Sequence, residues 1–298
     1  MMSFIINILE QGSLYSILTL GVMISYQILG ISDLSVDGTY PLGAVISAVL
    51  IKNGFSPWIS LLFAFIGGGL AGSVTGILNT KLKISNLLSG ILVMTALYSI
   101  NLVIAGGRSN LPLLQEKTLF DNFIFDKIGT TPYQKVIVLF LIIFGLKLVI
   151  DWLFSTRLGY LFKLVGDNEN LISELGHNPE TIKIIGLAVS NSLVALSGGV
   201  AVSLSRYYDI SIGTGMIILG LSSGILGVTL LKKNKFKLTS MVIVGAIIYR
   251  FIVALAIRYG LQPQYLRLVT VIIFIATLLL NQTTKLNSKR KVEENVGI

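Results

Sequence analysis

The sequence predicts an all-α polytopic membrane protein, and three observations predict this class. Hydrophobic residues make up 53% of the chain and charged residues only 12%, whereas about 25% of residues are charged in an ordinary soluble domain. The mean hydropathy is +0.83. The apolar residues form runs of about 17–25 residues, the length at which a helix crosses a hydrocarbon layer about 30 Å thick. The chain length therefore allows about eight or nine membrane segments.

Seven apolar runs predict full-length membrane helices, and two shorter segments lie between them. The predicted spans are 8–29, 57–80, 87–105, 134–154, 182–204, 236–257 and 265–281. Segments 38–51 and 213–231 are short or rich in glycine and serine, which is typical of half-helices or re-entrant elements. The N-terminus has neither a basic region nor a small-residue cleavage site, so we expect it to enter the first helix.

The basic residues predict the orientation of the chain in the membrane. Lys and Arg are concentrated in the loops after spans 57–80 and 134–154, after segment 213–231, and in the tail 282–298. These loops lie on one side if the segments alternate, and the positive-inside rule makes that side cytoplasmic. We expect a cytoplasmic C-terminus, an outer N-terminus and an outer loop at 106–132. The net charge of +9 is therefore attributed to contact with membrane lipid, and no nucleic-acid partner is expected.

An approximate internal repeat links the two short segments. The run DLSVDGT at 33–39 returns as DISIGTG at 209–215, each time after a full-length span and before a short one. The neighbouring spans share this offset, so repeat 1 covers about 8–105 and repeat 2 about 182–281, with an extra helix at 134–154. The odd number of crossings between them inverts the second unit. The sequence predicts one transmembrane domain over 1–298 with two inverted repeats and broken helices; chance similarity is the alternative.

The paired breaks are the candidate path for a solute, because unwound backbone exposes carbonyl groups and helix N-termini expose N–H groups. The candidate path residues are Asp33, Asp37, Thr39, Tyr40, Tyr207, Tyr208, Asp209, Ser211 and Thr214. Alternatively, Asp33 and Asp209 only cap the half-helices that follow them. The two adjacent tyrosines are equally typical of an interfacial aromatic belt.

Charged residues inside the predicted spans require partners. An unpaired Arg250 would cost on the order of 3 kcal/mol or more, and the sequence indicates no clear partner for it. Lys147 and Asp151 are four residues apart on one helix, so we expect a structural ion pair.

The connection 155–181 contains a polar amphipathic segment that is typical of a docking element on another protein. An ordinary solvated loop helix is the alternative. His177 has no second ligand candidate near it, so no metal site is expected. The chain contains no G-x-x-x-x-G-K-[ST] phosphate loop, no zinc-ligand cluster and no nucleophile with a base. We therefore expect no catalytic residues and no cofactor in this chain, and any ATP hydrolysis has to come from another polypeptide.

Several motifs resemble a known family. The runs STRLGY at 155–160, VGDNE at 165–169 and ELGHN at 174–178, with the later GILG at 224–227, resemble the branched-chain amino acid and ribose permease superfamily of ATP-binding-cassette importers. The run DLSVDGTYPLGA at 33–44 is most similar to permeases of tryptophan- and tyrosine-type systems that use a substrate-binding lipoprotein. The chain lacks the extra N-terminal span of ribose permeases, which weakens the case for a sugar.

The resemblance implies a homodimer in a bacterial cell membrane, with the path near the subunit interface. It also implies two cytoplasmic ATP-binding subunits, which would bind ATP and magnesium, and an extracytoplasmic lipoprotein. The residues that it implies for coupling to the ATPase are Asp167, Asn168, Glu169, Leu171, Glu174, Leu175, Gly176, His177 and Asn178.

The leading hypothesis is ATP-driven uptake of an amino acid or a similar small solute by alternating access. An ion-coupled secondary transporter is the alternative, and its coupling sites would have to be Asp33, Asp37 and Asp209. A membrane-embedded enzyme is a third hypothesis, which the spans disfavour because they contain no catalytic cluster.

Overall fold

Long apolar helices form most of the structure, a computed structural model that describes residues 2–121, 133–231 and 236–279. The first half contains α1 (Met2–Met23), a π-helical turn (Ile24–Ile28), α2 (Val36–Lys52), α3 (Pro57–Thr80) and α4 (Asn86–Ile104). The second half contains α5 (Gln134–Ser155), α6 (Arg157–Asp167), α7 (Glu169–Glu174), α8 (Pro179–Ser205), α9 (Met216–Leu231), α10 (Leu238–Arg258) and α11 (Leu266–Leu279).

The prediction of an all-α polytopic membrane protein is confirmed. In the described part of the chain, seven helices are long and apolar enough to cross a membrane. Helix α1 begins at Met2, several residues before the predicted start, because the preceding residues continue its apolar run. Helix α11 is shorter than a full span over the described residues.

Both short segments follow a break in the helical backbone, as predicted. Helix α2 has 17 residues and begins after a non-helical stretch that follows the π-helical turn. Helix α9 has 16 residues and follows a 3-10 turn at Ile210–Gly213. Together, this turn and α9 extend over 22 residues and are long enough to cross a membrane. The second segment is therefore a span entered through a turn, and it is not too short to cross.

Helices α1 and α8 form the centre of the bundle. The most apolar window of α1 with its π-helical turn is 78% buried within the chain, and that of α8 is 72% buried. The corresponding value for α5 is only 22%, so α5 presents most of its apolar surface outwards. Such a surface is suited to lipid, because an apolar environment replaces water there.

Small residues allow α2, α3 and α8 to pack closely. A methyl group added to Gly43 on α2 would overlap the carbonyl of Ala195 on α8, and one added to Gly198 on α8 would overlap the carbonyl of Tyr40 on α2. Helix α3 packs on α8 through its own glycines, among them Gly72. The three helices therefore form one tightly packed unit, as small residues permit in lipid.

A short β-ribbon lies at one end of the bundle. Strand β1 (Asn110–Pro112) pairs in antiparallel fashion with strand β2 (Tyr207–Asp209), and Leu111 is opposite Tyr208. Helices α6 and α7 lie at the other end, where Phe162 packs with Ile28 and Leu29 below α1. We name these the ribbon end and the α6–α7 end.

Candidate functional site

The two helix breaks lie against each other and are joined by one carboxylate. Asp37, in the first turn of α2, accepts hydrogen bonds from the backbone N–H groups of Gly215 at 2.8 Å and Ile217 at 2.9 Å. Gly215 immediately precedes α9 and Ile217 lies in its first turn, where no intrahelical carbonyl is available to the N–H groups. Asp37 therefore caps α9 from a helix distant in sequence, with its negative charge at the positive end of the helix dipole.

Asp33 attaches the first break to the central helix α8. Its carboxylate accepts from the N–H of Ser35 at 2.8 Å and from the side-chain amide of Asn191 at 2.6 Å. The hydroxyl of Ser35 in turn donates to the amide oxygen of Asn191 at 3.2 Å. Asp33 is only 2% exposed, and Ser35, not Asp33, is the N-cap residue of α2. The carboxylate therefore fixes the unwound stretch to α8 and also holds the backbone at the start of α2.

Asp209 is the N-cap of the 3-10 turn that precedes α9. It accepts a hydrogen bond from the N–H of Ser211 at 2.8 Å and also binds the hydroxyl of that residue. The sequence offered a cap on the following half-helix as an alternative, whereas the structure has Asp209 capping the turn that precedes α9. The side chain remains half-exposed, so the capping role leaves one face of Asp209 accessible.

The predicted path residues divide into a buried group and an accessible group. The buried group consists of Asp33, Thr39, Tyr40 and Tyr208. The accessible group, exposed or partly exposed, consists of Asp37, Tyr207, Asp209, Ser211 and Thr214. The accessible group borders the entry to α9. A solute could contact the buried group only after the packed interior rearranges.

Tyr208 illustrates why the two adjacent tyrosines differ. It points inwards from β2 and is fully buried among residues of α2 and the ribbon, including Val45 and Leu111. Its neighbour Tyr207 is 49% exposed, because successive side chains of a strand point to opposite faces. The sequence did not reveal the ribbon, so both tyrosines were given the same role.

Several polar groups of the site were missed from the sequence. Asn191 was not singled out, and Asn101 on α4, which donates to the carbonyl of Gly38 at 3.2 Å, was not either. Both asparagines lie inside apolar helices and are fully buried. An amide in such a run was the available signal, because a polar group inside a membrane helix requires a partner.

The ribbon end also contains an ion pair that the sequence did not indicate. The guanidinium of Arg206, which ends α8 in a left-handed conformation, binds the carboxylate of Asp121. Asp121 also accepts from the N–H and hydroxyl of Thr118, at 3.0 Å and 2.9 Å. Partial burial raises the pKa of Asp121, but the hydrogen bonds from Thr118 and the charge of Arg206 outweigh it and lower the pKa overall.

Arg250 lies beside an aromatic ring of the central helix. Its guanidinium is 5.8 Å from the ring centre of Tyr15 on α1, within the distance of a cation–π contact. Among the residues that the structure describes, its Nε atom has no hydrogen-bond partner. Tyr15 is thus the partner that the sequence did not identify.

Asp151 joins α5 to α10. Lys147 donates to its carboxylate at 2.8 Å, which confirms the predicted pair. The same carboxylate accepts from Thr239 at 2.6 Å and contacts Lys237 at 3.3 Å. The pair is therefore part of a contact between two helices.

Helices α6 and α7 form an exposed double element anchored from one side. Phe162 and Ile172 are fully buried against the base of α1 and α8. The residues predicted for coupling are all exposed. Asn168 caps α7 through the N–H of Asn170, and Asn178 caps α8. The element is therefore a folded, rigidly held projection that presents polar groups and two exposed leucines.

The described residues contain no group of three or more His, Cys, Asp or Glu side chains that could hold a metal ion.

The comparisons with known proteins agree with this architecture. The model of the family described as branched-chain amino acid transport system / permease component matches residues 4–278. A tyrosine transport system permease protein of Clostridioides difficile is 45% identical over 278 residues, which cover 93% of this chain and 91% of the relative. A ribose import permease protein of Escherichia coli is 26% identical over 280 residues, 92% of this chain and 84% of the relative.

An uncharacterized protein of Rickettsia prowazekii is 32% identical over 286 residues, 92% of this chain and 97% of the relative. No solved structure matches the chain. The family model covers nearly the whole bundle, including both breaks and the α6–α7 element. The chain therefore belongs to the family of permease components of branched-chain amino acid transport systems.

Proposed function

We propose that this chain is the permease subunit of an ATP-driven importer of amino acids, with an aromatic amino acid as the first substrate to test. The family description names branched-chain amino acids, and the tyrosine transport permease is much more similar to this chain than the ribose permease is. Two copies of the chain would enclose the path, and the accessible group around the entry to α9 would border it.

The observation that carries the proposal is a direct contact between the α6–α7 element and the first break. A methyl group on Gly166 of α6 would overlap the carbonyl of Ile28 in the π-helical turn. The stretch after this turn contains Asp33 and leads to Asp37, which holds the start of α9. On this proposal, a displacement of α6 reaches the first break through the backbone of Ile28 and the second break through the carboxylate of Asp37.

The α6–α7 end is proposed to face the cytoplasm and to dock on separate ATP-binding subunits. These partners would bind ATP and magnesium, because the chain has no phosphate loop of its own. A substrate-binding lipoprotein would deliver the amino acid to the ribbon end. The proposed location is the bacterial cytoplasmic membrane, with the C-terminal tail inside as the positive-inside rule predicts.

The proposed domain organisation is one permease domain with two repeats of four helices. Helices α1 to α4 form the first repeat and α8 to α11 the second. In each repeat the second helix is short and follows a break. This correspondence supports the inverted repeat, with α5 as the extra helix and α6 with α7 as the coupling region.

The docking proposal is tested with paired leucine variants. Leu171 and Leu175 are 38% and 56% exposed on α7 and just after it, and Leu82, between α3 and α4, is 62% exposed. We expect the double change Leu171→Arg and Leu175→Arg to prevent co-purification of the ATP-binding subunits, because it places charge in an apolar contact. Leu82→Arg is the matched control and should retain them. An unaltered complex in the double variant would refute the docking assignment.

Transport itself is tested in proteoliposomes that contain the complex, with ATP enclosed and the binding protein outside. We expect uptake of labelled tyrosine or leucine that depends on ATP and is insensitive to ionophores. Uptake that requires an ion gradient and ignores ATP would favour the secondary transporter. Labelled ribose serves as the solute control, and its selective uptake would refute the amino acid proposal.

A further inference from the structure

A cavity of about 530 Å³ opens at the α6–α7 end, beside the π-helical turn that leads into the first break. It lies between the base of α1, the end of α5, helix α6 and the start of α10. Its volume is within the range of about 300–1,000 Å³ that is typical of small-molecule sites. The polar and aromatic groups that line it include Gln27, Asp151, Tyr160, Lys163, Asp167 and Lys237.

The cavity is lined by one lysine and one aspartate that form no ion pair with the residues the structure describes. Lys163 and Asp167 are four residues apart on α6 and both line the cavity. Among the described residues, neither forms an ion pair. Asp151, in contrast, is already held by Lys147, Lys237 and Thr239 (its three side-chain partners). The charges available to a ligand are therefore of opposite sign and lie on one helix.

Aromatic surface adjoins the free cation. The ammonium of Lys163 is 5.7 Å from the ring centre of Phe154 and 5.5 Å from that of Tyr160. Both rings line the cavity. A ligand bound through Lys163 would place its own side chain against these rings, where an aromatic or aliphatic group is favoured.

We propose that this cavity binds a zwitterionic amino acid. Its carboxylate would pair with Lys163, its ammonium with Asp167, and its side chain would lie against Phe154 and Tyr160. A simple anion satisfies only Lys163 and is repelled by Asp167, and a simple cation has the opposite mismatch. The zwitterion is the small-molecule class that satisfies both groups.

The position of the cavity gives this binding a consequence for transport. The ligand would hold α6, the helix that packs on the π-helical turn before the first break. On the proposed orientation, the imported amino acid accumulates at this end. An occupied cavity restrains α6 and slows further uptake, so the site acts as a product sensor. This inference rests on the proposed function.

The experiment measures the initial uptake rate of the full complex in proteoliposomes that contain ATP. One set of proteoliposomes is preloaded with unlabelled L-tyrosine, and the other set is not. We expect preloading to slow uptake about fivefold or more. Tyramine, which lacks the carboxylate, and 3-(4-hydroxyphenyl)propanoate, which lacks the ammonium, should have no effect when preloaded. Inhibition by either analogue as strong as that by tyrosine would overturn the zwitterion assignment.

Variants identify the site. For each variant, the uptake rate with preloaded tyrosine is divided by the rate without it, so that changes in basal activity cancel. Lys163→Gln should shift the inhibitory concentration of tyrosine about tenfold upwards, because a charge-assisted contact is lost. Lys81→Gln, at an exposed lysine after α3, is the control and should behave as wild type. An equal response of both variants would overturn the cavity assignment. Absence of any ATP-driven uptake would refute the proposed function instead, whereas intact uptake without product inhibition would refute only the sensor.

Discussion

Asp37 offers the sharpest test of the site, because two backbone groups depend on its two oxygens. In Asp37→Asn, one oxygen still accepts a hydrogen bond, but an NH₂ group now faces the N–H of Gly215 or Ile217. The unpaired group costs about 1–3 kcal/mol, and the lost charge at the start of α9 adds about 0.3–1 kcal/mol. The expected loss of stability is about 1–4 kcal/mol.

The loss is measured as the melting temperature of the purified protein in detergent. A change of 1 kcal/mol shifts Tm by roughly 2–4 °C for a large single chain, so the variant should melt about 2–16 °C lower. Hydrogen exchange at Gly215 and Ile217 should accelerate. Asp209→Asn is the control: it caps only its own turn, and asparagine is as good an N-cap as aspartate, so its Tm should stay near wild type. Equal Tm values in the two variants would refute the role of Asp37.

Three further predictions concern packing, the buried polar network and pH. Gly43→Val should prevent accumulation of folded protein, measured by fluorescence-detected size exclusion, because its side chain would overlap the backbone of α8. Asn191→Leu removes one hydrogen-bond donor from the buried carboxylate of Asp33 and should destabilise the protein by about 2–3 kcal/mol. The double variant Asn191→Leu with Asp33→Ala removes both members of this hydrogen bond and should recover part of the lost stability. The pair of Asp121 and Arg206 should stabilise the protein above the unfolded Asp pKa of about 3.9, and this contribution should disappear as pH falls through the lower folded pKa. The Tm difference between wild type and Arg206→Gln should therefore vanish in acid, and a constant difference would contradict it.

The spans and both breaks were predictable from the sequence because each follows from local composition. An apolar run as long as that of α5 has to be buried in lipid or protein wherever it lies. The helices break where glycine, serine and aspartate interrupt such an apolar run. The ion pair of Lys147 and Asp151 was predictable for the same reason, since the two residues share one helix face. Local pattern therefore defined which segments form helices and where two of them are broken.

The partners across the bundle were not predictable, because they depend on how the helices meet. The sequence suggested only a place on the solute path for Asp37, but its hydrogen-bond donors lie at the start of α9, far away in the chain. The exposed site of Tyr207 and the buried site of Tyr208 depend on a ribbon whose second strand lies far away in the chain. Asn191 showed no pattern beyond being polar in an apolar helix.

The contacts of Asp37 also indicate where the bundle can rearrange. Helices α2, α3 and α8 are locked together by backbone contacts at glycines. Helices α9 and α10 are locked in the same way, because Gly227 and Gly245 meet with no room for a side chain. The two hydrogen bonds of Asp37 connect the first block to the second. A motion that separates the two blocks at the entry to α9 has to break these two hydrogen bonds, so Asp37 is one of the contacts at which the two units meet.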